Sequence, residues 1–322
     1  MKPSKQISVV IPVYNEEKCL YKLHERLTEV LQKLDKSYEI VLVNDGSKDK
    51  SREIMNELNK KDPEHLKAIH FNGNFGQHMA VMAGFEHAEG EVVITLDADL
   101  QNPPEDIPKL LDAVDKGHDV VEGVRANRQD TVFRRFASRL NNRIRAWMTG
   151  ISLTDQGSMM RAYKHNVVQL MVMSKERSTF IPALAYNYAS NPGEVEVKHD
   201  HRAHGESRYN FYRLMRLNFD LMTGFSVVPL QFVTFIGVMV SGVSFLFFIY
   251  MILRRLIIGP EVQGVFTLFA LMFFLMGLLV FSLGIVGEYI GRIYEEVRRR
   301  PRYVIEEILP TVSKKSCEKI SS

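Results

Sequence analysis

Short runs of apolar, mostly β-branched residues alternate with stretches of helical spacing in the first hundred residues of the 322-residue chain. Such a run, bounded by polar residues or proline, predicts a strand buried on both faces, whereas apolar residues every three or four positions predict a helix. The pattern predicts strands at 7–12, 39–43, 66–71 and 92–96, and helices at 20–34, 51–59 and 76–87. This alternation is typical of βαβ units, so we expect an α/β domain with a mostly parallel sheet.

Two much longer apolar stretches follow this charged N-terminal part. Residues 221–253 and 262–287 contain no Asp, Glu, Lys or Arg. Each exceeds the roughly 20 residues that a helix needs to cross a bilayer. Buried helices of soluble proteins seldom stay uncharged on every face for so long. The sequence therefore predicts a hairpin of two transmembrane helices, at 227–253 and 265–287.

Flanking arginines predict the orientation of this hairpin, because positive charge collects on the cytoplasmic side of a membrane. Arg208, Arg213 and Arg216 precede the first stretch, and five arginines lie between positions 292 and 302 after the second. Arg254 and Arg255 in the connecting loop weaken this contrast without reversing it. The N-terminus lacks the apolar core of a signal peptide. We expect a cytosolic domain at 1–208, an interfacial amphipathic helix at 209–226, an outer loop at 254–264, and a cytosolic helix and tail at 288–322.

Composition and short motifs disfavour several classes of protein. Lys and Arg number 41 against 38 Asp and Glu, a net charge of +3 that is too balanced to indicate nucleic acid as the main partner. Cys19 and Cys317 lie at opposite ends of the chain, which favours reduced thiols over a disulfide framework or a metal site. No G-x-G-x-x-G follows the first strand and no G-x-x-x-x-G-K-[ST] occurs, which disfavours dinucleotide dehydrogenases and P-loop NTPases.

Polar and acidic residues follow three of the predicted strands. Tyr14 and Glu16 follow the first strand, Asp45 the second, and Asp97 and Asp99 the strand at 92–96. One such loop is ordinary turn chemistry, but three on parallel strands would meet at the edge where open α/β sheets bind ligands. Two carboxylates at i and i+2 repel each other unless a cation lies between them, and a hard divalent ion that holds a phosphate suits this geometry.

The segments that carry these residues, VVIPVYNEE, VNDGSKD and TLDADLQNPPED, resemble inverting family 2 glycosyltransferases in order and spacing. The resemblance implies the nucleotide-diphospho-sugar transferase fold of the GT-A type. It implies a donor-nucleotide site formed by Pro12, Tyr14, Glu16, Asp45 and Asp97. It further implies that Mg²⁺ or Mn²⁺ is held on the donor diphosphate by Asp97, Asp99 and Gln101.

A basic segment downstream is a candidate acceptor site. Arginines interleave with aromatic residues between 125 and 147, which predicts an interfacial amphipathic segment that binds lipid phosphate; a solvated basic helix face is the alternative. The candidate ligands of the acceptor phosphate are Arg125, Arg128, Arg134 and Arg139. In the family, an aspartate corresponding to Asp155 approaches the acceptor and is often proposed as general base, so Asp155 and Asp99 are the predicted catalytic residues. A phosphate with a second pKa of about 6 is already largely deprotonated at pH 7, so Asp155 could instead position the acceptor.

Arg202 and Arg208 lie on either side of Gly205, in a loop able to close over a diphosphate. Guanidinium groups there would stabilise the charge that grows on a leaving pyrophosphate. Related lipid-phosphate sugar transferases carry Arg…Gly-x-Ser-Lys-Tyr, and this chain has Arg208 where lysine is usual. A zinc site at the three histidines between 199 and 204 is an alternative that lacks a clear fourth ligand.

Further segments are similar to one bacterial group of the family, the undecaprenyl-phosphate 4-deoxy-4-formamido-L-arabinose transferases. These segments are NFGQHMAVMAGF, DADLQNPPEDIP, RANRQDTVFRRFASR, ERSTFIPALA and GEYIGRIYEEVRRRPRYV. The resemblance implies a multi-pass protein of the bacterial inner membrane with its catalytic domain in the cytoplasm and loop 254–264 in the periplasm. It implies sugar transfer from a UDP-sugar to undecaprenyl phosphate, for lipid A modification and polymyxin resistance. Homotetramers occur among similar enzymes.

Departures from the group's pattern keep alternatives open. Its members usually have DYGCMLRAY where this chain has DQGSMMRAY from Asp155, so glucose, another hexose or mannose could be the transferred sugar. A processive polysaccharide synthase would carry Gln-x-x-Arg-Trp and more spans, and the only tryptophan, Trp147, is not in such a motif. A noncatalytic membrane scaffold that binds nucleotide-sugars is the alternative of another class.

Overall fold

A computed structural model of the chain describes residues 3–125, 159–174, 180–198, 228–258, 265–298 and 301–311. The chain divides into two units. The first comprises residues 1–143, 151–208 and 300–322, and the second comprises 144–150 and 209–299.

The first unit is an α/β domain in which strands and helices alternate, as the apolar pattern predicts. Its described strands are β1 (Lys5–Val13), β2 (Tyr38–Asn44), β3 (Leu66–Phe71), β4 (Gly90–Thr95), β5 (Val120–Arg125), β6 (Arg161–Lys164), β7 (Pro192–Val197) and β8 (Ile305–Leu309). Its described helices are α1 (Leu20–Lys33), α2 (Ser51–Lys61), α3 (Gln77–His87), α4 (Ile107–Asp115), α5 (His165–Met173) and α6 (Ile181–Tyr188). Two prolines follow the Asp-x-Asp segment, and the second begins a short 3₁₀ turn, Pro104–Asp106, because proline is tolerated in the first turn of a helix.

The eight strands form one mixed sheet in the order β7-β5-β6-β4-β1-β2-β3-β8. Strands β4, β1, β2 and β3 are parallel neighbours, and β5 pairs in parallel with β7. Strands β6 and β8 pair antiparallel with their neighbours. The expected mostly parallel sheet is therefore confirmed.

Helices cover both faces of this sheet, which explains why its central strands are apolar on both sides. One face of β1 packs with the leucines of α1 at positions 20, 23, 27 and 31, all of which are buried. Burial of each such side chain contributes roughly 1.5–3 kcal/mol. On the other face Val10 packs against α3, where a Cβ on Gly84 would lie 2.2 Å from the Val10 side chain. Glycine at position 84 thus permits the close approach of α3 to β1.

The segment after the last long helix differs from its prediction. The predicted cytosolic helix includes residues 305–307, but these residues lie in β8, which pairs antiparallel with β3. Pro301 removes a backbone donor and disfavours helix in the residue before it, so the chain cannot carry the helix through this point. The chain that follows the helix therefore includes an edge strand of the eight-stranded sheet.

The second unit contains two long helices that contact each other, α7 (Val228–Ile258) and α8 (Val265–Val297). Within the described residues, Leu271–Gly291 of α8 is the one segment long and apolar enough to cross a membrane. A shorter apolar segment, Leu230–Val240, lies in α7. The predicted spans 227–253 and 265–287 thus coincide with helices, while the crossing by α7 stays a prediction. The predicted interfacial helix at 209–226 lies outside the described residues.

Candidate active site

The order of the parallel strands creates a switch point between β1 and β4. The chain adds β2 and β3 on one side of β1 and then returns to add β4 on the other side. Open α/β sheets bind ligands at the carboxyl ends of the strands beside such a point. The loop after β1 carries Tyr14 and Glu16, and the loop after β4 carries Asp97 and Asp99. The sequence-predicted acids of these two loops therefore lie where a ligand-binding crevice is expected.

The loops after β1 and β2 are tied together by hydrogen bonds. The backbone N–H of Asn15 donates to Ser47 Oγ at 3.0 Å, and that of Glu16 donates to Ser51 Oγ at 2.9 Å. Asn15 adopts a left-handed conformation with φ 57°, which asparagine tolerates better than most residues and which turns the chain sharply after β1. This arrangement fixes the backbone at Glu16 and leaves the Tyr14 side chain 44% exposed at the rim.

Asp45 is buried and already has partners in the protein. Its Oδ1 accepts hydrogen bonds from the backbone N–H of Phe75 at 2.6 Å and of Gly76 at 3.2 Å, and its Oδ2 accepts one from Gly76 at 2.9 Å. Burial raises the pKa of Asp45, and these backbone donors oppose the rise. The carboxylate therefore joins the loop after β2 to the start of α3. Its contact with a nucleotide stays a prediction.

The Asp97 carboxylate is held by two amide side chains. Gln77 Nε2 donates to Oδ1 at 2.7 Å, and Asn102 Nδ2 donates to Oδ2 at 3.3 Å. Burial, together with the neighbouring negative charge of Asp99, raises the pKa of Asp97 to about 7, although Gln77 and the positive charge of Arg161 oppose the rise. A carboxylate whose ionised form is destabilised by burial and by a neighbouring acid favours a bound cation.

A tight turn follows Asp99. Leu100 has φ 62°, a left-handed conformation that is uncommon for a residue with a bulky side chain, and it packs against the core. The turn returns the chain so that the Gln101 N–H donates to Asp99 Oδ1 at 3.1 Å. Strained backbone of this kind persists where the surrounding structure fixes it, and it is common at ligand sites. The predicted metal ligands Asp97, Asp99 and Gln101 are thus brought into one turn.

The donor atoms of this turn suit a hard divalent cation. It offers two carboxylates, an amide at Gln101 and the Oδ1 of Asn102, a buried oxygen that accepts no hydrogen bond from the described residues. The described residues contain no group of three or more His, Cys, Asp or Glu that could enclose a metal. Mg²⁺ is usually bound through one or two carboxylates, substrate phosphates and water, so a two-carboxylate site fits such an ion.

Several predicted site residues lie within strands or outside the described residues. Pro12 is buried within β1, next to its last residue, in agreement with the predicted strand at 7–12. Arg125 is the last residue of β5, and its side chain is not described. The other arginines and the proposed acceptor aspartate lie outside the described residues: Arg128, Arg134, Arg139, Asp155, Arg202 and Arg208. The roles of all these residues stay predictions.

The structure also shows contacts that the sequence interpretation missed. Gln77 and Asn102 hold Asp97, and Met159, at the start of the described chain after Asp155, provides a backbone N–H that hydrogen-bonds Asp97. The sequence did indicate that Gln77 lies at the start of a helix, α3, which follows the strand β3 of the same sheet. The contact itself depends on the order of the strands, which the local pattern does not specify.

Comparison with known proteins places these observations in a family. The model of "Glycosyl transferase family 2" matches residues 8–171. The chain is similar to two undecaprenyl-phosphate 4-deoxy-4-formamido-L-arabinose transferases. The one from Edwardsiella ictaluri is 48% identical over 305 residues, which cover 94% of this chain and 94% of the relative. The one from Aeromonas hydrophila is 47% identical over 307 residues, which cover 95% of this chain and 94% of the relative. Among solved structures, the chain is similar to glucosyl-3-phosphoglycerate synthase from Mycobacterium tuberculosis in complex with phosphoglyceric acid. The match covers 68% of this chain and 78% of the synthase chain, with 16% sequence identity and a TM-score of 0.46. From the family match and the nearly full-length relatives, the chain belongs to glycosyl transferase family 2.

Proposed function

We propose that the protein transfers a sugar from a UDP-sugar to undecaprenyl phosphate with inversion, and that the sugar is 4-deoxy-4-formamido-L-arabinose. One observation carries this proposal: undecaprenyl-phosphate 4-deoxy-4-formamido-L-arabinose transferases are 46–48% identical to this chain along almost its whole length. The switch-point site supports it because it places two acids where a nucleotide diphosphate would bind. The biological consequence would be lipid A modification and polymyxin resistance.

The donor side of the reaction uses the strand-end loops. Tyr14, Glu16 and Asp45 line the nucleotide portion of the site, and the loop hydrogen bonds described above hold their backbone in place. Asp97, Asp99 and Gln101 would hold a divalent cation, Mg²⁺ or Mn²⁺, on the donor diphosphate. When bound, such a cation supplies positive charge that stabilises the departing diphosphate. Arg202 and Arg208 are proposed to add guanidinium donors to the same leaving group.

The acceptor side requires little proton chemistry. An oxygen of the lipid phosphate attacks the anomeric carbon and forms the new C–O bond, while the bond to the donor diphosphate breaks and its electron pair leaves with UDP. Since a phosphate monoester has a second pKa of about 6, its attacking oxygen needs no strong base at pH 7. Asp155 is therefore proposed to position the acceptor or exclude water, while Arg125, Arg128, Arg134 and Arg139 bind its phosphate.

A membrane location fits a lipid-linked acceptor. The exposed apolar segment Leu271–Gly291 is long enough to cross a bilayer. We propose that the protein is a multi-pass protein of the inner membrane, that α7 also crosses, and that the catalytic domain faces the cytoplasm. A homotetrameric assembly stays a prediction from the resemblance.

The function can be tested with the purified full-length protein in lipid nanodiscs. The protein is incubated with undecaprenyl phosphate, Mn²⁺ and a panel of UDP-sugars, and the lipid product is identified by mass spectrometry. We expect a product with the formamido-arabinose donor. Transfer from UDP-glucose alone would contradict the sugar assignment, and UDP-sugar binding without transfer from any donor would favour a noncatalytic scaffold.

Replacement of Asp99 tests the role of the acid pair. Asp99→Ala removes one of the two carboxylates of the turn, so we expect transfer to be abolished while membrane insertion and the circular dichroism spectrum are retained. Asp112→Ala, at an exposed position on α4, is the matched control and is expected to retain wild-type turnover. Undiminished transfer by Asp99→Ala would contradict the metal role.

A further inference from the structure

The side chain of Gln77 connects two acidic positions of the site. It is the first residue of α3, and its Nε2 lies 2.7 Å from Asp97 Oδ1. The two residues immediately before it, Phe75 and Gly76, donate their backbone N–H groups to Asp45. One short segment, residues 75–77, therefore holds both the acid after β2 and the first acid after β4.

The backbone of this segment is fixed from both sides. Gly76 has φ 96°, a conformation that favours glycine and that directs the chain from the loop into α3. Asn74 Nδ2 also donates to the Asp45 backbone oxygen at 3.1 Å. Because the position of Gln77 is set by these contacts with Asp45, its side chain reaches Asp97 from a rigid support.

Asn102 completes the hold on Asp97 from the opposite end of the Asp-x-Asp turn. It is 2% exposed, and its Nδ2 lies 3.3 Å from Asp97 Oδ2. Each carboxylate oxygen of Asp97 thus accepts one side-chain amide N–H, and the Met159 backbone N–H also bonds the carboxylate. Acceptor capacity remains, since an ionised carboxylate has about four lone-pair sites. Two donors on the two oxygens prevent rotation of the carboxylate group and define the direction of its remaining lone pairs.

We propose that Gln77, assisted by Asn102, is a positioning residue that orients the Asp97 carboxylate toward the divalent cation of the donor complex. It acts through Asp97 and contacts neither the cation nor the sugar. This inference rests on the proposed function, because it presupposes that the donor is bound with a metal. Residues that hydrogen-bond metal ligands in this manner typically change metal affinity about 10- to 100-fold when they are replaced.

Gln77 is the better of the two residues for an experiment. It is exposed, so Gln77→Leu removes the amide donor at similar length without opening a cavity in the core. Asn102 is buried, and its replacement would disturb packing as well as the hydrogen bond. Gln32→Leu, the same substitution at an exposed position of α1, is the matched control.

The test measures binding in the full-length protein. UDP affinity is determined by titration calorimetry with and without Mn²⁺, and bound Mn²⁺ is counted by electron paramagnetic resonance in the presence of UDP. For Gln77→Leu we expect Mn²⁺ affinity to fall about 10- to 100-fold, UDP affinity without metal to stay at the wild-type value, and excess Mn²⁺ to restore much of the transfer rate. Gln32→Leu is expected to match the wild type in every measurement.

Two outcomes for Gln77→Leu would overturn the inference. Wild-type Mn²⁺ affinity would show that Gln77 does not orient Asp97 for the cation. An equal loss of UDP affinity with and without Mn²⁺ would show that Gln77 contacts the nucleotide or supports the fold. If the wild-type protein itself bound UDP with no dependence on metal, the metal part of the proposed function would fail along with this inference, and that result is visible before any variant is made.

Discussion

Glu122 and Arg161 face each other on the neighbouring antiparallel strands β5 and β6 and form an ion pair in which both side chains are fully buried. Tyr186 of α6 donates a further hydrogen bond to Glu122 Oε2 at 3.3 Å. The positive charge of Arg161 also favours the ionised form of Asp97. The pair therefore joins β5, β6 and α6, and β6 in turn pairs with β4, the strand that precedes Asp97.

The buried pair predicts an asymmetry between single and double substitutions. Arg161→Met leaves Glu122 buried without its positive partner, and such a loss destabilises a protein by about 3–5 kcal/mol. Combining it with Glu122→Leu removes the stranded charge, so the double variant should be more stable than Arg161→Met alone. Thermal unfolding in detergent, followed by circular dichroism, measures both. A double variant no more stable than Arg161→Met would contradict this account.

The sequence predicted the central part of the fold well, because short apolar runs with clear boundaries define those strands. The predicted strand at 66–71 coincides with β3, and the helix predicted at 51–59 ends two residues earlier than α2. Strand β6 was not predicted because Arg161 reads as an exposed residue, and its burial depends on Glu122 across the sheet. Strand β8 was missed for a similar reason: its sequence IEEIL reads as part of a charged helix until its pairing with β3 is known.

The site likewise has residues that the sequence predicted and residues that it did not. Acids directly after strands could be placed at one edge of the sheet from the alternation of strands and helices alone. The amides that hold Asp97 could not be, since Gln77 comes from a different loop and reaches Asp97 only because β4 is added beside β1. Local pattern thus predicts which residues reach the edge, whereas strand order decides which of them touch.

Gly46 is a second position where a small change should disturb the site. It has φ 66°, and a Cβ there would lie 2.4 Å from the backbone carbon of Gly73. Gly46→Ala therefore adds a clash with backbone to a left-handed strain of about 1–2 kcal/mol. We expect a lower melting temperature and weaker UDP binding, because the loop after β3 would shift away from Asp45.

A matched substitution separates the two effects in that prediction. Gly117 has φ 110° but no atom within 4 Å of its Cβ position, so Gly117→Ala introduces backbone strain without the clash. It should leave UDP affinity unchanged, whereas Gly46→Ala should weaken UDP binding. Equal losses of UDP affinity in the two variants would show that close contact with Gly73 is unimportant.

The docking of β8 is expected to depend more on an aromatic contact than on its ion pairs. Arg52 binds Glu306 at 2.9 Å and Glu307 at 3.0 Å, but all three side chains are more than one-third exposed. Pairs of this kind contribute about 1 kcal/mol or less. Tyr303 instead stacks on Phe71, with ring centroids 4.9 Å apart and an interplanar angle of 13°.

Hydrogen exchange at the β8 amides tests this ranking. Tyr303→Ala should accelerate exchange across Ile305–Leu309 more than Arg52→Ala does, because it removes the stacked ring next to the strand. Tyr303→Phe keeps the ring and should exchange close to the wild-type rate. Faster exchange in Arg52→Ala than in Tyr303→Ala would assign the docking to the ion pairs.

His70 predicts a dependence of stability on pH. The side chain is fully buried; Nε2 donates to Asn56 Oδ1 at 2.8 Å, and Nδ1 accepts from Asn44 Nδ2 at 3.3 Å, so the neutral ring satisfies both neighbours. Burial, aided by the charge of Arg52, lowers the pKa of His70 to about 4, from 6.5 in the unfolded chain. Between these values the unfolded state binds more protons than the folded state, so the free energy of unfolding decreases as the pH falls from 6.5 toward 4.

Above pH 6.5 the neutral His70 ring makes its full contribution to the free energy of unfolding. About 3 kcal/mol of this contribution is lost as the pH falls from 6.5 to 4. His70→Gln cannot take up this proton, and its amide still offers a donor and an acceptor in the same place. The variant should therefore lose less stability than the wild type as the pH falls from 6.5 toward 4. Denaturant titrations at several pH values across the interval measure the difference in slope. Parallel stability curves for the two proteins would show that His70 does not take up a proton on unfolding.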